Sequence, residues 1–282
     1  MNLWYALVEL LPFEWAASGG MYFMKNALLA VLVISPLFGI LSTMVVESRM
    51  SFFSDALGHS AFTGMAIGAL CGLADPMWCA VLFAILFSLL FSFVKRRAEL
   101  ASDTVIGVFS STAVALGIFI STLGSRSFTK FNALLIGDIL SVEVSKIALL
   151  AVILLAVVLL WIFSFNKLML SSIHPALADS RGIKVFWQQT AFSAAVAVVV
   201  TVSMTWVGLL VINSLLVLPA AAARNVSRNV RQYHLFSLIF AVFGGIAGLM
   251  TSYYVGASAG ASITLYLAAV FLVTFLLRKV RR

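Results

Sequence analysis

The residues of this chain best equipped for chemistry are Asp55 and His59, in the run Asp55-Ala56-Leu57-Gly58-His59. Residues four apart on a helix share a face, so this spacing presents a carboxylate oxygen and an imidazole nitrogen together. The surrounding stretch, residues 52–72, otherwise reads as membrane-spanning. An ionisable group inside a bilayer costs about 2.5 to 3.5 kcal/mol on insertion scales and normally faces a partner or a water-filled path. Oxygen and nitrogen donors of this kind suit Mn(II), Fe(II) or Zn(II). The pair therefore admits three roles: a site for a metal ion in transit, a proton relay, or an Asp–His hydrogen bond that satisfies two buried polar groups. Two donors hold an ion weakly, which suits conduction, because a transported ion must leave its site as well as enter it. Two copies meeting on an axis would offer four donors, and no permanently bound cofactor is expected.

The other polar residues are less well placed. Glu9, Glu14, Asp75, Asp138 and Glu143 fall in segments read as outer, Glu47, Glu99 and Asp179 in inner ones, and Asp103 at a span entrance. Ser214 and His234 lack any motif that would make them a nucleophile and its base. Cys71 and Cys79 flank a turn at Asp75-Pro76 where a disulfide is geometrically conceivable; they are read as unpaired, packed thiols. Nothing matches Gly-x-x-x-x-Gly-Lys-[Ser/Thr], so the chain is not expected to be an enzyme, and any nucleotide would be hydrolysed by a partner.

The elements that must position Asp55 and His59 are membrane helices. Of 282 residues, 63% are hydrophobic and 10% charged, with a mean hydropathy of +1.12, far too apolar for a soluble domain. Apolar runs near 27–46, 52–72, 77–94, 103–123, 144–165, 186–205, 207–223, 233–254 and 261–277 have the length that crosses about 30 Å of hydrocarbon. The expected fold is an all-α, polytopic transmembrane bundle of eight to nine spans. The 186–223 stretch reads either as two crossings or as one crossing plus a broken helix. Along the span of residues 52–72, Ser60, Gly64 and Gly68 form a small-residue ridge that invites close helix approach.

Orientation follows from basic residues. With residues 47–51 inside, 14 of the 18 Lys and Arg lie inside, and only Lys25, Arg126, Lys130 and Lys146 lie outside. The N-terminus is then outside and the C-terminus inside. The formal charge of +8 reflects this asymmetry rather than a nucleic-acid footprint. Residues 1–24, with Trp4, Tyr5, Trp15 and Tyr22, read as an outer interfacial segment, and residues 25–282 as one transmembrane domain. Residues 124–143 suggest a half-helix dipping inward from the outer side. Between Pro175 and Ile183, a Pro at the start and Gly182 at the end mark a short cytoplasmic helix.

Several segments taken together resemble the membrane permease subunits of bacterial manganese, zinc and iron ABC importers. They are Ser54-Asp55-Ala56-Leu57-Gly58-His59-Ser60-Ala61 with Gly64 and Gly68, then Leu135-Ile136-Gly137-Asp138-Ile139-Leu140, then Ala176-Leu177-Ala178 leading to Gly182-Ile183. Last come Val207-Gly208-Leu209-Leu210-Val211 and Leu218-Pro219-Ala220-Ala221-Ala222-Ala223-Arg224. The resemblance implies a homodimer in the bacterial cytoplasmic (inner) membrane. Two ATP-binding subunits would dock on the cytoplasmic side at the helix carrying Pro175, Ala178 and Gly182, and an extracytoplasmic metal-binding protein would deliver the ion. Asp55 and His59 fall on the family's pathway pair. The alternative is a secondary transporter in which Asp55 and His59 carry protons and no ATPase is needed.

Overall fold

The structure, a computed structural model, describes residues 2–9, 14–17, 21–73, 75–97, 101–123 and 137–280. Two short helices, α1 (Asn2–Val8) and α2 (Glu14–Ala17), precede α3 (Tyr22–Glu47), α4 (Phe53–Leu70), α5 (Met77–Arg97) and α6 (Ser102–Leu123). A 3₁₀ turn at Ile139–Ser141 leads into α7 (Val144–Ile173), α8 (Pro175–Ser180) and α9 (Val185–Val207), followed by α10 (Leu209–Val226), α11 (Val230–Val255) and α12 (Ala259–Val280). There is no strand among the described residues. The first part of the suspected half-helix, residues 124–136, lies outside the described residues.

Eight described helices, all the long ones except α4, are long and apolar enough to cross a membrane. The exception is instructive, since α4 is the helix of Asp55 and His59. It has 18 residues and packs among the others, but its polar side chains dilute its hydropathy. The most apolar of these helices, α7 at a mean hydropathy of 3.1, has the smallest buried share of the eight. That inversion belongs to a protein whose outer solvent is lipid, where an all-round apolar helix loses nothing by facing outward.

Two groups of helices make the body. In one, α3, α10, α11 and α12 pack on each other; in the other, α4, α5, α6 and α9 do so, with α7 bridging α3 and α9. Small residues set the approach. Gly64 lies where a Cβ would stand 2.6 Å from the Ala80 Cα, so the ridge on α4 brings α5 nearly to backbone contact. Gly248 faces the Ile263 backbone in the same way between α11 and α12. Hydroxyls then tie helix to helix, as between Ser42 and Ser237 at 2.8 Å.

The ambiguous 186–223 stretch is two helices joined by the single residue Gly208, at φ +86° and ψ 149°. α9 joins one group and α10 the other, so this one residue redirects the chain between them. Gly137, at φ +64°, lies directly against Gly208 and Val207. Asp138 then caps the 3₁₀ turn by accepting from the Leu140 amide at 3.1 Å. Near the N-terminus, Trp4 Nε1 donates to the Lys25 carbonyl at 3.1 Å, and fully buried Lys25 pairs with Glu9 at 2.9 Å. Trp15 is fully buried and Tyr22 half exposed.

Candidate functional site

Asp55 sits in the first turn of α4, where a carboxylate is favoured by the helix dipole. Ser54, Ala56, Leu57, Gly58, Ser60 and Ala61 around it are buried, while the side chains of Asp55 and His59 remain 47% and 20% exposed. The polar pair thus lies on the stripe of α4 that the rest of the chain leaves uncovered. Its two members face each other, with His59 Nε2 at 3.5 Å from Asp55 Oδ2. That is longer than the usual N–H···O distance of about 2.7 to 3.2 Å. It is close to the separation that two donors on one ion would have: with metal–ligand bonds of about 2.0 to 2.2 Å and a tetrahedral angle, donors stand about 3.4 Å apart.

A third residue completes the arrangement. α10 approaches α4 so closely that Leu209 packs directly on Gly58, where any larger residue would meet it. About one turn further along α10, Asn213 donates from Nδ2 to Asp55 Oδ1 at 3.2 Å. A carboxylate only accepts, so the amide orientation follows from chemistry: nitrogen toward Asp55, oxygen away from it. That Oδ1 is buried and without a hydrogen-bond partner. Asn213 was missed in the sequence, although Asn213 and Ser214 are the only polar residues between Gly208 and Arg224. Asn213 also belongs to the less covered stripe of α10, with Leu210, Val217, Ala221 and Arg224. The open stripes of α4 and α10 therefore meet at the Asp55–Asn213 bond. No group of three or more His, Cys, Asp or Glu is assembled among the described residues.

The other expected residues separate clearly. α8 starts with Pro175 at its N-terminus, and it ends with the Gly182 amide bonded to the Asp179 carbonyl at 2.9 Å and Gly182 at φ +74°. Ala178 is fully buried and seats the helix on the bundle, whereas Pro175, Leu177 and Gly182 are exposed. Beside α8, a cavity of about 590 Å³ opens between α5 and α9, lined by Lys95, Arg96, Asp179, Lys184 and Trp187. Ser214 donates to the Val211 carbonyl, while His234 packs edge-to-face against Trp161 and Phe165 and at a tilt against Tyr233. They form no nucleophile–base pair. Cys71 and Cys79 are free thiols, Cys71 exposed at the end of α4.

The chain thus combines an Asp–His pair on α4, two helices joined at Gly208 and a short helix at Pro175–Ser180 in a bundle of apolar helices, and comparison with known proteins places it. The model of the ABC 3 transport family matches residues 20–278. The manganese import system permease protein ScaB of Streptococcus gordonii is 29% identical over 261 residues, covering 93% of both chains. The high-affinity zinc uptake system membrane protein ZnuB of Haemophilus influenzae is 26% identical over 253 residues, covering 90% of this chain and 97% of that one. Among solved structures, PsaBC from Streptococcus pneumoniae in complex with Fab superposes with a TM-score of 0.77 at 27% identity, covering 98% of this chain and 95% of that one. The match runs through the segments bearing Asp55, Gly137, Gly208 and Asn213, and on it this multi-pass membrane protein belongs to the ABC 3 transport family.

Proposed function

We propose that this chain is the permease subunit of an ATP-binding-cassette importer that moves a divalent transition metal ion, Mn(II), Zn(II) or Fe(II), across the bacterial cytoplasmic membrane. The observation that carries the reading is the Asp55–His59 pair, 3.5 Å apart on the open stripe of α4, in a chain of this family. Asp55 and His59 are the transient ligands of the ion. The open stripe also supports a homodimer: a half-exposed carboxylate facing hydrocarbon would be costly, and a second copy laid on the same stripe covers it while doubling the donors.

The remaining partners follow from the same reading. Two ATP-binding subunits dock at α8, with Ala178 anchoring the helix and Pro175, Leu177 and the Gly182 turn meeting the partner. An extracytoplasmic metal-binding protein delivers the ion at the opposite end, beside the outer segment 1–24. ATP-driven closure of the docked subunits moves α8 and with it α9, exposing the ligands first outward and then inward. This chain does no covalent chemistry, and it takes no nucleic-acid partner.

The test is metal uptake into proteoliposomes holding the whole complex. Uptake is expected with ATP inside and the binding protein outside, and to vanish without the ATPase. Uptake by this chain alone under an imposed pH gradient would instead establish the proton-coupled reading, which family membership disfavours. The docking role has its own test. Leu177, 44% exposed on α8, changed to Asp is expected to cut ATP-driven uptake about tenfold or more while the purified permease keeps its melting temperature, because a charge is placed in the core of an interface. Unchanged uptake would move the docking surface elsewhere.

A further inference from the structure

The geometry points to Asn213 as a third donor to the transported cation: its side-chain carbonyl oxygen adds a hard ligand that favours Mn(II) over Zn(II). This rests on the metal-import reading above and goes beyond it by naming what separates the candidate ions at this site.

Three observations converge. Asn213 Nδ2 is already committed to Asp55 Oδ1 at 3.2 Å, so the amide is held at the ligand rather than free to rotate. Its Oδ1 is buried and has no partner, and an unsatisfied buried acceptor is costly. The oxygen and nitrogen share one carbon, so that acceptor lies one amide width beyond the nitrogen that contacts Asp55 Oδ1 at 3.2 Å, where an ion bridging the two residues would meet it. A cation held by Asp55 is the group that both needs an oxygen there and restores the missing interaction.

Donor type and number then discriminate between ions. Asp55 and His59 from two copies make four oxygen and nitrogen donors, the number of a tetrahedral zinc site. Adding Asn213 from each copy makes six, four of them oxygens, and carbonyl and carboxylate oxygens in octahedral array suit Mn(II). Since affinity for a given site rises toward zinc along the divalent series, an importer of Mn(II) needs such a geometric preference.

The experiment measures Mn(II) and Zn(II) uptake separately in proteoliposomes of the complete importer. Asn213→Leu, close in size and without polar atoms, is expected to lower Mn(II) uptake about tenfold and Zn(II) uptake less than about threefold, shifting the ratio toward zinc. Asn213→Gln keeps both the amide donor and the oxygen and is expected to hold the ratio closer to that of the unmodified importer than Asn213→Leu does. Equal losses of both metals in Asn213→Leu would reduce Asn213 to a residue that merely orients Asp55, and unchanged uptake of both would remove it from the site; either overturns the proposal. If the unmodified importer moves neither metal with ATP, the failure lies instead with the import reading.

Discussion

Asp55→Ala is expected to abolish metal uptake, a loss of more than about a hundredfold, while the complex still assembles and binds ATP. The size follows from the position. Even residues that only support a metal ligand cost about 10- to 100-fold when removed, and Asp55 is the one carboxylate of the pair, touched by both His59 and Asn213. Stability should move little: Asp55 is half exposed, and its loss leaves no buried cation unpaired. Uptake of radiolabelled manganese alongside size-exclusion analysis of the complex checks both halves. Ordinary accumulation by an assembled Asp55→Ala importer would falsify the site.

The largest effect on folding is expected at Gly137. Gly137→Ala meets two obstacles at once: a φ of +64°, which costs an L-residue about 1 to 2 kcal/mol, and a methyl group directed at the Gly208 backbone, which cannot move aside as a side chain would. With overpacking of about 1 to 3 kcal/mol, the total reaches about 2 to 5 kcal/mol, enough to reduce the yield of folded protein sharply. Gly72 and Gly182 separate the two contributions. They hold φ values of +73° and +74° with nothing within 4 Å of an added Cβ, so Gly72→Ala and Gly182→Ala should pay the conformational cost alone. Melting temperatures of the three variants in detergent decide it; a Gly137→Ala shift no larger than the other two would mean that the contact with Gly208 yields easily.

These expectations connect the fold to the transport cycle. Gly208 is the point where the chain passes from the helix group containing α4 to the group containing α3, α11 and α12, and Gly137 is wedged against it. One turn beyond Gly208, Asn213 reaches Asp55. Motion of α9 relative to α10 would therefore reach the Asp55–His59 pair through Asn213, which gives the proposed alternating access a concrete place to act.

Much of this was legible in residue order alone. The nine long helices among the described residues mostly fall within a few residues of the apolar runs, because crossing length and the charges that interrupt it are local properties: α5 ends on Lys95, Arg96 and Arg97, whereas α7 runs eight residues past its expected end, through Asn166 and Lys167, until His174-Pro175 breaks it. The pairing of Asp55 with His59 was equally local, being one helical turn. Asn213 was not, because 158 residues separate it from Asp55, and a polar residue in an apolar helix does not announce which neighbour it will face.

Residue order alone thus determined that the chain is a membrane bundle, roughly where its long helices lie, and that α4 carries a carboxylate and an imidazole on one face. Only the tertiary structure decided that this face is the uncovered one, that Gly208 separates two helices assigned to different groups, and that Asn213 closes on Asp55. The reason is physical. In water an amphipathic stripe tells a helix which side to bury, but membrane helices are apolar nearly all round, so their mutual arrangement depends on small-residue contacts and single hydrogen bonds between distant segments.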